Sequence, residues 1–296
     1  IRTEEIKFND VITLLRIFQN SPKLFVLDTV IKEGYVTAKI NLSFDDRGKI
    51  KQNYNITGSV RKIKINILNQ LKLKNLNFNF NIDKNIYLFK NIVTQTNNIE
   101  LFSPLVEVKK KKNSFFVNGQ LLNKKQNLDF EEINLTFNNK FNYKNVKKIE
   151  FSSKNNFSFN VNKKLKFDNL KVESNVNLSE LIINQKDLKL KPYFPNFSEE
   201  INLKDHNITI SYYKNKFNIK GNGNILLQDK SDNLSYEIIN DDNNILFESK
   251  INIKNNSLLI SLLDYEKKEG SDSSILFKGN FKKNDKLKID LISLKD

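Results

Sequence analysis

The chain contains no cysteine, no methionine and no tryptophan, a single histidine, and only eight glycines and four prolines in 296 residues. Without cysteine there is no disulfide framework and no thiolate metal site, which fits the cytosol and equally an envelope compartment where free thiols are a liability. The missing methionine leads us to expect a processed product or an internal fragment, so the absence of a targeting segment excludes no compartment. No stretch reaches the roughly 18 consecutive apolar residues of a membrane-spanning helix, so any anchor is expected outside this segment. The scarcity of glycine and proline argues against a low-complexity disordered chain.

Catalytic signals are as sparse. His206 stands in Lys204-Asp205-His206-Asn207, which reads as a solvated turn, and no serine occupies a nucleophile elbow. The adjacent acids Asp45-Asp46, Glu131-Glu132, Glu199-Glu200 and Asp241-Asp242 read as turns or strand ends. Neighbours in a strand point to opposite faces, so none of these pairs forms facing carboxylates for glycoside hydrolysis. No phosphate-cradling loop or dinucleotide fingerprint is present. The expectation is a non-enzymatic protein with no cofactor and no metal.

What is present is charge and phenylalanine. Lysine and arginine number 49 against 34 acids, a net charge of +15, and there are 23 phenylalanines. The cations are scattered through turns and polar strand positions rather than focused on one stripe, so AT-rich codon usage accounts for them better than a polyanion partner. Lys109-Lys110-Lys111-Lys112 is the strongest run and reads as a hairpin turn, the sharper alternative being a contact to an anionic headgroup. The phenylalanines alternate in phase with Ile, Leu and Val. They therefore belong to an apolar face, which argues against a nucleic-acid-stacking surface.

The first 33 residues have helical spacing. Asn9 or Asp10 caps a helix through Ile12, Leu15 and Phe18, Ser21-Pro22 interrupts it, and Leu24 to Ile31 continues to a C-cap at Gly34. From residue 34 to 296 the period switches to two. Val36, Ala38, Ile40 and Leu42 alternate with polar residues, and the pattern recurs at Ile63 to Ile67, Leu76 to Ile82 and Phe157 to Val161. Runs of five to seven residues joined by short Asn/Asp/Lys/Gly turns predict antiparallel neighbours in a meander with one apolar face. These runs are shorter than the strands of an outer-membrane barrel. Lys186 to Glu200, with Pro192 and Pro195, predicts a loop or covering segment.

One phrase repeats: apolar, any, apolar, any, Gly, any, apolar. It occurs around Gly58, Gly119 and Gly279, with a variant at Gly221. Each glycine takes the place of an apolar-face side chain, which allows a bend, a bulge or close approach by another group. The fold expected is all-β: an elongated antiparallel meander curled into an apolar groove, with a short helical N-terminal segment (1–33) preceding the groove (34–296).

Gly34 to Phe80, with Phe44-Asp45-Asp46-Arg47-Gly48-Lys49-Ile50, Tyr54-Asn55-Ile56-Thr57-Gly58-Ser59-Val60 and Leu73-Lys74-Asn75-Leu76-Asn77-Phe78, resembles the AsmA-like envelope proteins of the YhdP and TamB type. The phrases around Gly119, Gly221 and Gly279 are in the same style. The resemblance implies a repeating β-groove that carries phospholipid between the inner and outer membranes of a Gram-negative envelope. It implies a periplasmic location and an inner-membrane anchor outside this segment. The partners expected are phospholipid acyl chains and the two membranes or their proteins, with no nucleic acid and a monomeric fragment. The lining expected is Ile56, Val60, Phe78, Phe80, Phe157, Phe159, Ile219 and Phe277, with groove glycines Gly58, Gly119, Gly221 and Gly279. The alternatives are a structural or adhesive all-β protein with a dry core, and a basic nucleic-acid-binding β protein.

Overall fold

The computed structural model describes all residues except 19–21, 50, 52–53, 68–70, 97–98, 130–144, 165, 186–188, 242–243 and 283–287. Two helices, α1 (Phe8–Phe18) and α2 (Pro22–Val30), follow a two-residue strand β1 (Ile6–Lys7). The rest is almost wholly strand. In chain order come β2 (Ile31–Asn41), β3 (Asn55–Ile67), β4 (Leu71–Ile82), β5 (Ile86–Thr96), β6 (Ile99–Lys110) and β7 (Ser114–Asp129). Then follow β8 (Val146–Asn162), β9 (Phe167–Asn184), β10 (Glu200–Tyr213), β11 (Lys216–Leu226), β12 (Ser231–Asp241) and β13 (Asn244–Ile253). A small hairpin β14 (Leu258–Ile260) and β15 (Tyr265–Lys267) precedes β16 (Ser273–Lys282) and β17 (Lys288–Lys295).

Fifteen of these strands form one sheet in sequence order from β1 to β17, skipping only the β14–β15 hairpin, and the sheet is not closed into a barrel. The registers described are all antiparallel. The antiparallel all-β expectation therefore holds. No described helix is long and apolar enough to cross a membrane.

The strands are longer than the sequence runs, reaching 16, 17 and 18 residues in β7, β8 and β9. The alternation breaks at bulges that bend a strand without ending it. In β3 the register shifts between Val60 and Ile63, where Lys62 adopts a left-handed conformation (φ 55°) and its N–H donates to Asn77 Oδ1 at 2.9 Å. Two sequence runs thus belong to one strand. The helical reading also overshoots. Ile31 opens β2, and Gly34 lies inside that strand (φ 136°) rather than capping a helix. Ile31 is buried against Val60, Ile63 and Leu76, so packing of a β-branched side chain ends the helix three residues early. Ser21 lies outside the described residues.

The chain forms two compact units. Unit 1 is Ile1–Lys124 with Asn156–Leu170, and unit 2 is Lys125–Asn155 with Lys171–Asp296. In unit 1 a cluster of Ile31, Val60, Ile63 and Leu76, joined by Phe8 from the start of α1, closes the apolar face where the helices lead into β2. In unit 2 the segment 189–199 covers the sheet, as the proline pattern predicts. Phe194 and Phe197 pack with Ile225, Leu234, Ile253, Leu258 and Ile275. The cover is tied down by polar contacts: Asn196 N–H donates to Gln228 Oε1 (3.0 Å), Gln228 Nε2 to the Ser257 carbonyl (2.9 Å), and Leu259 N–H to the Tyr193 carbonyl (2.9 Å).

Candidate functional site

Residues directly opposite each other in an antiparallel sheet share a face. In unit 1 this fixes a continuous apolar face. One row runs Ala38, Gly58, Phe80, Phe89, Val106, Gly119 across six strands. The next runs Ile40, Ile56, Ile82, Tyr87, Val108, Val117. Rings connect along and across the strands: Phe78 meets Phe89 edge-on at 5.7 Å, Tyr87 meets Phe115 at 6.2 Å, and Phe159 lies between Phe157 (6.1 Å) and Phe167 (5.5 Å). The opposite face is polar, with Thr37 and Ser59 hydroxyls at 2.9 Å and Asn55 Nδ2 donating to Asn81 Oδ1 at 2.6 Å.

The apolar face is incompletely covered. Ile56, Phe78, Phe80, Phe157 and Phe159 are all half-buried, whereas Val60, at 3% exposure, is sealed into the cluster at the helix end. The accessible surface of the chain is 19783 Å². A compact monomer of this mass exposes about 13,000 Å².

Unit 2 carries the other expected residues. Ile219 opposes Ile238, Ile238 opposes Phe247, and Phe247 opposes Gly279. Gly221 opposes Tyr236. Phe277 packs partly against the Phe194–Phe197 cover, while Ile219 is half-buried beyond it. Six of the eight residues expected to line a groove thus share the face of unit 1, and two lie in unit 2.

The four repeated glycines share one arrangement: each lies under an aromatic ring of a neighbouring strand. An added Cβ would overlap Phe80 at Gly58 (2.5 Å to Cζ), Phe157 at Gly119 (2.8 Å), Tyr236 at Gly221 (2.7 Å to Cε2) and Phe247 at Gly279 (2.5 Å). Close approach is the reason for glycine here: a ring shields the bare backbone at each, and at Gly58 and Gly279 a backbone carbonyl, of Thr37 and Lys288, lies nearer still. The phrase in the sequence marks these places. The ring partner, which comes from another strand, carries no signal there. Tyr87 and Phe89 carry no clear phase either, because Ile86-Tyr87-Leu88-Phe89 is apolar without a break.

His206 corrects the turn reading. It lies within β10 at a bulge between Lys204 and Asn207, only 1% exposed, beneath Gly223 and beside the Tyr236 ring at 5.8 Å. Nε2 is 2.9 Å from the Asn224 carbonyl, which only accepts, so the neutral ring carries its proton on Nε2. Burial pushes its pKa below the ordinary imidazole value, against smaller upward pulls from the Asn224 carbonyl and the Asp205 carboxylate. The unfolded chain takes up a proton near pH 6.5 and the folded chain only at lower pH. Stability is therefore full above about pH 6.5 and falls as pH drops toward the folded pKa, by at most about 1.4 kcal/mol per pH unit from this group. Urea unfolding at pH 7.5 and 5.5 is expected to show this loss, and His206→Gln is expected to flatten it. As the chain's one histidine, its imidazole resonances report the titration directly.

Among the described acids, Asp45 and Glu200 have structural partners. Asp45 Oδ1 accepts the N–H groups of Arg47 (2.9 Å) and Lys49 (2.8 Å), a turn-building role. Glu200 pairs with Lys147. Glu131, Glu132 and Asp242 lie outside the described residues. Among the described residues no group of three or more His, Cys, Asp or Glu side chains is placed to hold a metal ion. Neither a protein-family model, nor a curated protein, nor a solved structure matches this chain.

Proposed function

We propose that the apolar face of unit 1 holds lipid acyl chains and that the protein is a non-enzymatic lipid-binding segment of the AsmA-like type, working between the two membranes of a Gram-negative envelope. The observation that carries this reading is the continuous face of half-buried aliphatic and aromatic side chains, packed by a buried cluster at the helix end and otherwise without a second layer among the described residues. An acyl chain laid on such a face gains about 0.8 kcal/mol for each CH₂ removed from water. Its headgroup stays hydrated beyond the strand ends. Smooth rows of apolar side chains hold a chain without a single tight pocket, which suits passage better than storage.

One observation favours the dry-core alternative for part of the chain. In unit 2 the Phe194–Phe197 segment already occupies the apolar face.

The test is organic extraction of the purified folded protein followed by mass spectrometry. Stoichiometric phospholipid is expected from the wild type. Phe159→Asp, at a half-buried position where a carboxylate stays hydrated, is expected to lose the lipid while keeping the β-sheet circular dichroism. A lipid-free wild type that unfolds on the same substitution would establish the dry core, because an unpaired carboxylate unfolds a closed core.

A further inference from the structure

Antiparallel order does something to the lysines that the linear sequence hides. Because successive strands reverse direction, the β2–β3, β4–β5, β6–β7 and β8–β9 connections of unit 1 all fall at the same end of its strands. Residues 45–51 hold three basic and two acidic side chains, and 83–85 one of each. Residues 109–112 hold four basic and no acidic side chains, and 162–166 three and none. Residues 68–70 and 97–98, which join the opposite ends of the strands, carry no charge. These four connections together carry eleven basic and three acidic side chains, so this rim is net positive, which the linear order does not display.

This rim lies at the end of the apolar face away from the cluster of Ile31, Val60, Ile63 and Leu76 with Phe8. Lys110 opposes Phe115 and so lies on the apolar side at this end of the face, while Lys111 Nζ sits 4.9 Å from the Phe116 ring centre. Two largely exposed aromatic side chains stand at the same rim: Phe44 in the β2–β3 connection is 56% exposed, and Phe167 at the start of β9, beside the Phe159 ring, is 72% exposed. Cations with isolated exposed aromatics, bordering an apolar face, match a bilayer surface of anionic headgroups over hydrocarbon. A single-strand nucleic acid would instead need aromatics spread along a basic groove.

We infer that the basic rim of unit 1 docks on an anionic membrane surface, with the turn lysines against the headgroups and Phe44 and Phe167 in the interface. Docking deepens the lipid-binding reading and rests on it for its purpose: it sets this end of the apolar face against the bilayer.

Co-sedimentation with vesicles tests it. The protein is expected to bind phosphatidylglycerol/phosphatidylcholine vesicles, to ignore phosphatidylcholine alone, and to be released by salt. Changing residues 109–112 together, Lys→Glu, is expected to lower partitioning at least about tenfold. Phe44→Ala with Phe167→Ala is expected to weaken it at unchanged charge. Equal binding to neutral vesicles would overturn the inference. So would a rim whose aromatics make no difference while single-stranded RNA displaces the vesicles, an outcome that assigns the charge to nucleic acid. Organic extracts separate the two readings. A wild type that binds anionic vesicles but carries no lipid retains the docking and ends the carriage reading. A protein that carries lipid but shows no preference for anionic vesicles does the reverse.

Discussion

Alanine at Gly58 is expected to destabilise unit 1 by about 1–3 kcal/mol, and trimming the neighbouring ring will not restore it. An added methyl would meet two groups: the Phe80 ring and the backbone carbonyl of Thr37 on the adjacent strand. The ring can swing aside, but the carbonyl is held by the ladder. Gly221 is the contrasting case, because the three nearest atoms to an added Cβ all belong to the Tyr236 side chain. In a Tyr236→Ala background the Gly221→Ala penalty is expected to shrink by about 1 kcal/mol, while the Gly58→Ala penalty persists in Phe80→Ala. The entropy that alanine removes from the unfolded chain works in the stabilising direction at both sites, so it cannot be the source of the difference. Urea midpoints read by circular dichroism measure all four penalties. Equal rescue at the two sites would show that the backbone approach at Gly58 is not the constraint.

Phe197→Ala is expected to cost about 3–5 kcal/mol, the range for a fully enclosed aromatic side chain. Phe197 is 3% exposed within the Phe194, Ile225, Leu258 cluster, and its removal leaves a cavity between the cover and the sheet. Phe157→Ala in unit 1 is expected to cost much less, since that ring is half-buried on a face with no opposing layer among the described residues and water replaces it without a void. The pair compares a covered with an uncovered sheet face. Similar costs at both positions would mean that unit 1 has a hidden layer and would remove the basis for acyl-chain binding.

The strand grammar was legible because burial of one face leaves a period of two that survives in residues such as Val36, Ala38 and Ile40. The positions of the ring-shielded glycines were legible too, as a recurring gap in that period. Strand length was not. A bulge at Lys62 and another at Asp205–His206 look like turns in the sequence, since both use polar residues and left-handed backbone. The distinction depends on whether the partner strand continues alongside, which only the folded chain displays. His206 is the clearest case: its burial depends on Gly223, seventeen positions away, leaving space for the imidazole. The basic rim was hidden for a related reason. Turns near residues 47, 84, 110 and 164 are far apart in the chain and become neighbours only because an antiparallel strand returns every second connection to the same end.

The sequential strand order has a consequence for how the protein assembles and fails. With the hairpin β14–β15 set aside, each strand from β2 to β16 pairs only with the one before and the one after it in the chain. Such a sheet approximates a one-dimensional array, with energies that are sums over adjacent pairs. Most of its closures are short loops of low entropic cost, so formation can begin at such a hairpin and zip outward. Loss of one pairing is correspondingly a local event. A chain pulled from its ends would release strands one hairpin at a time, and length could be added or removed by whole hairpins without redesigning the rest.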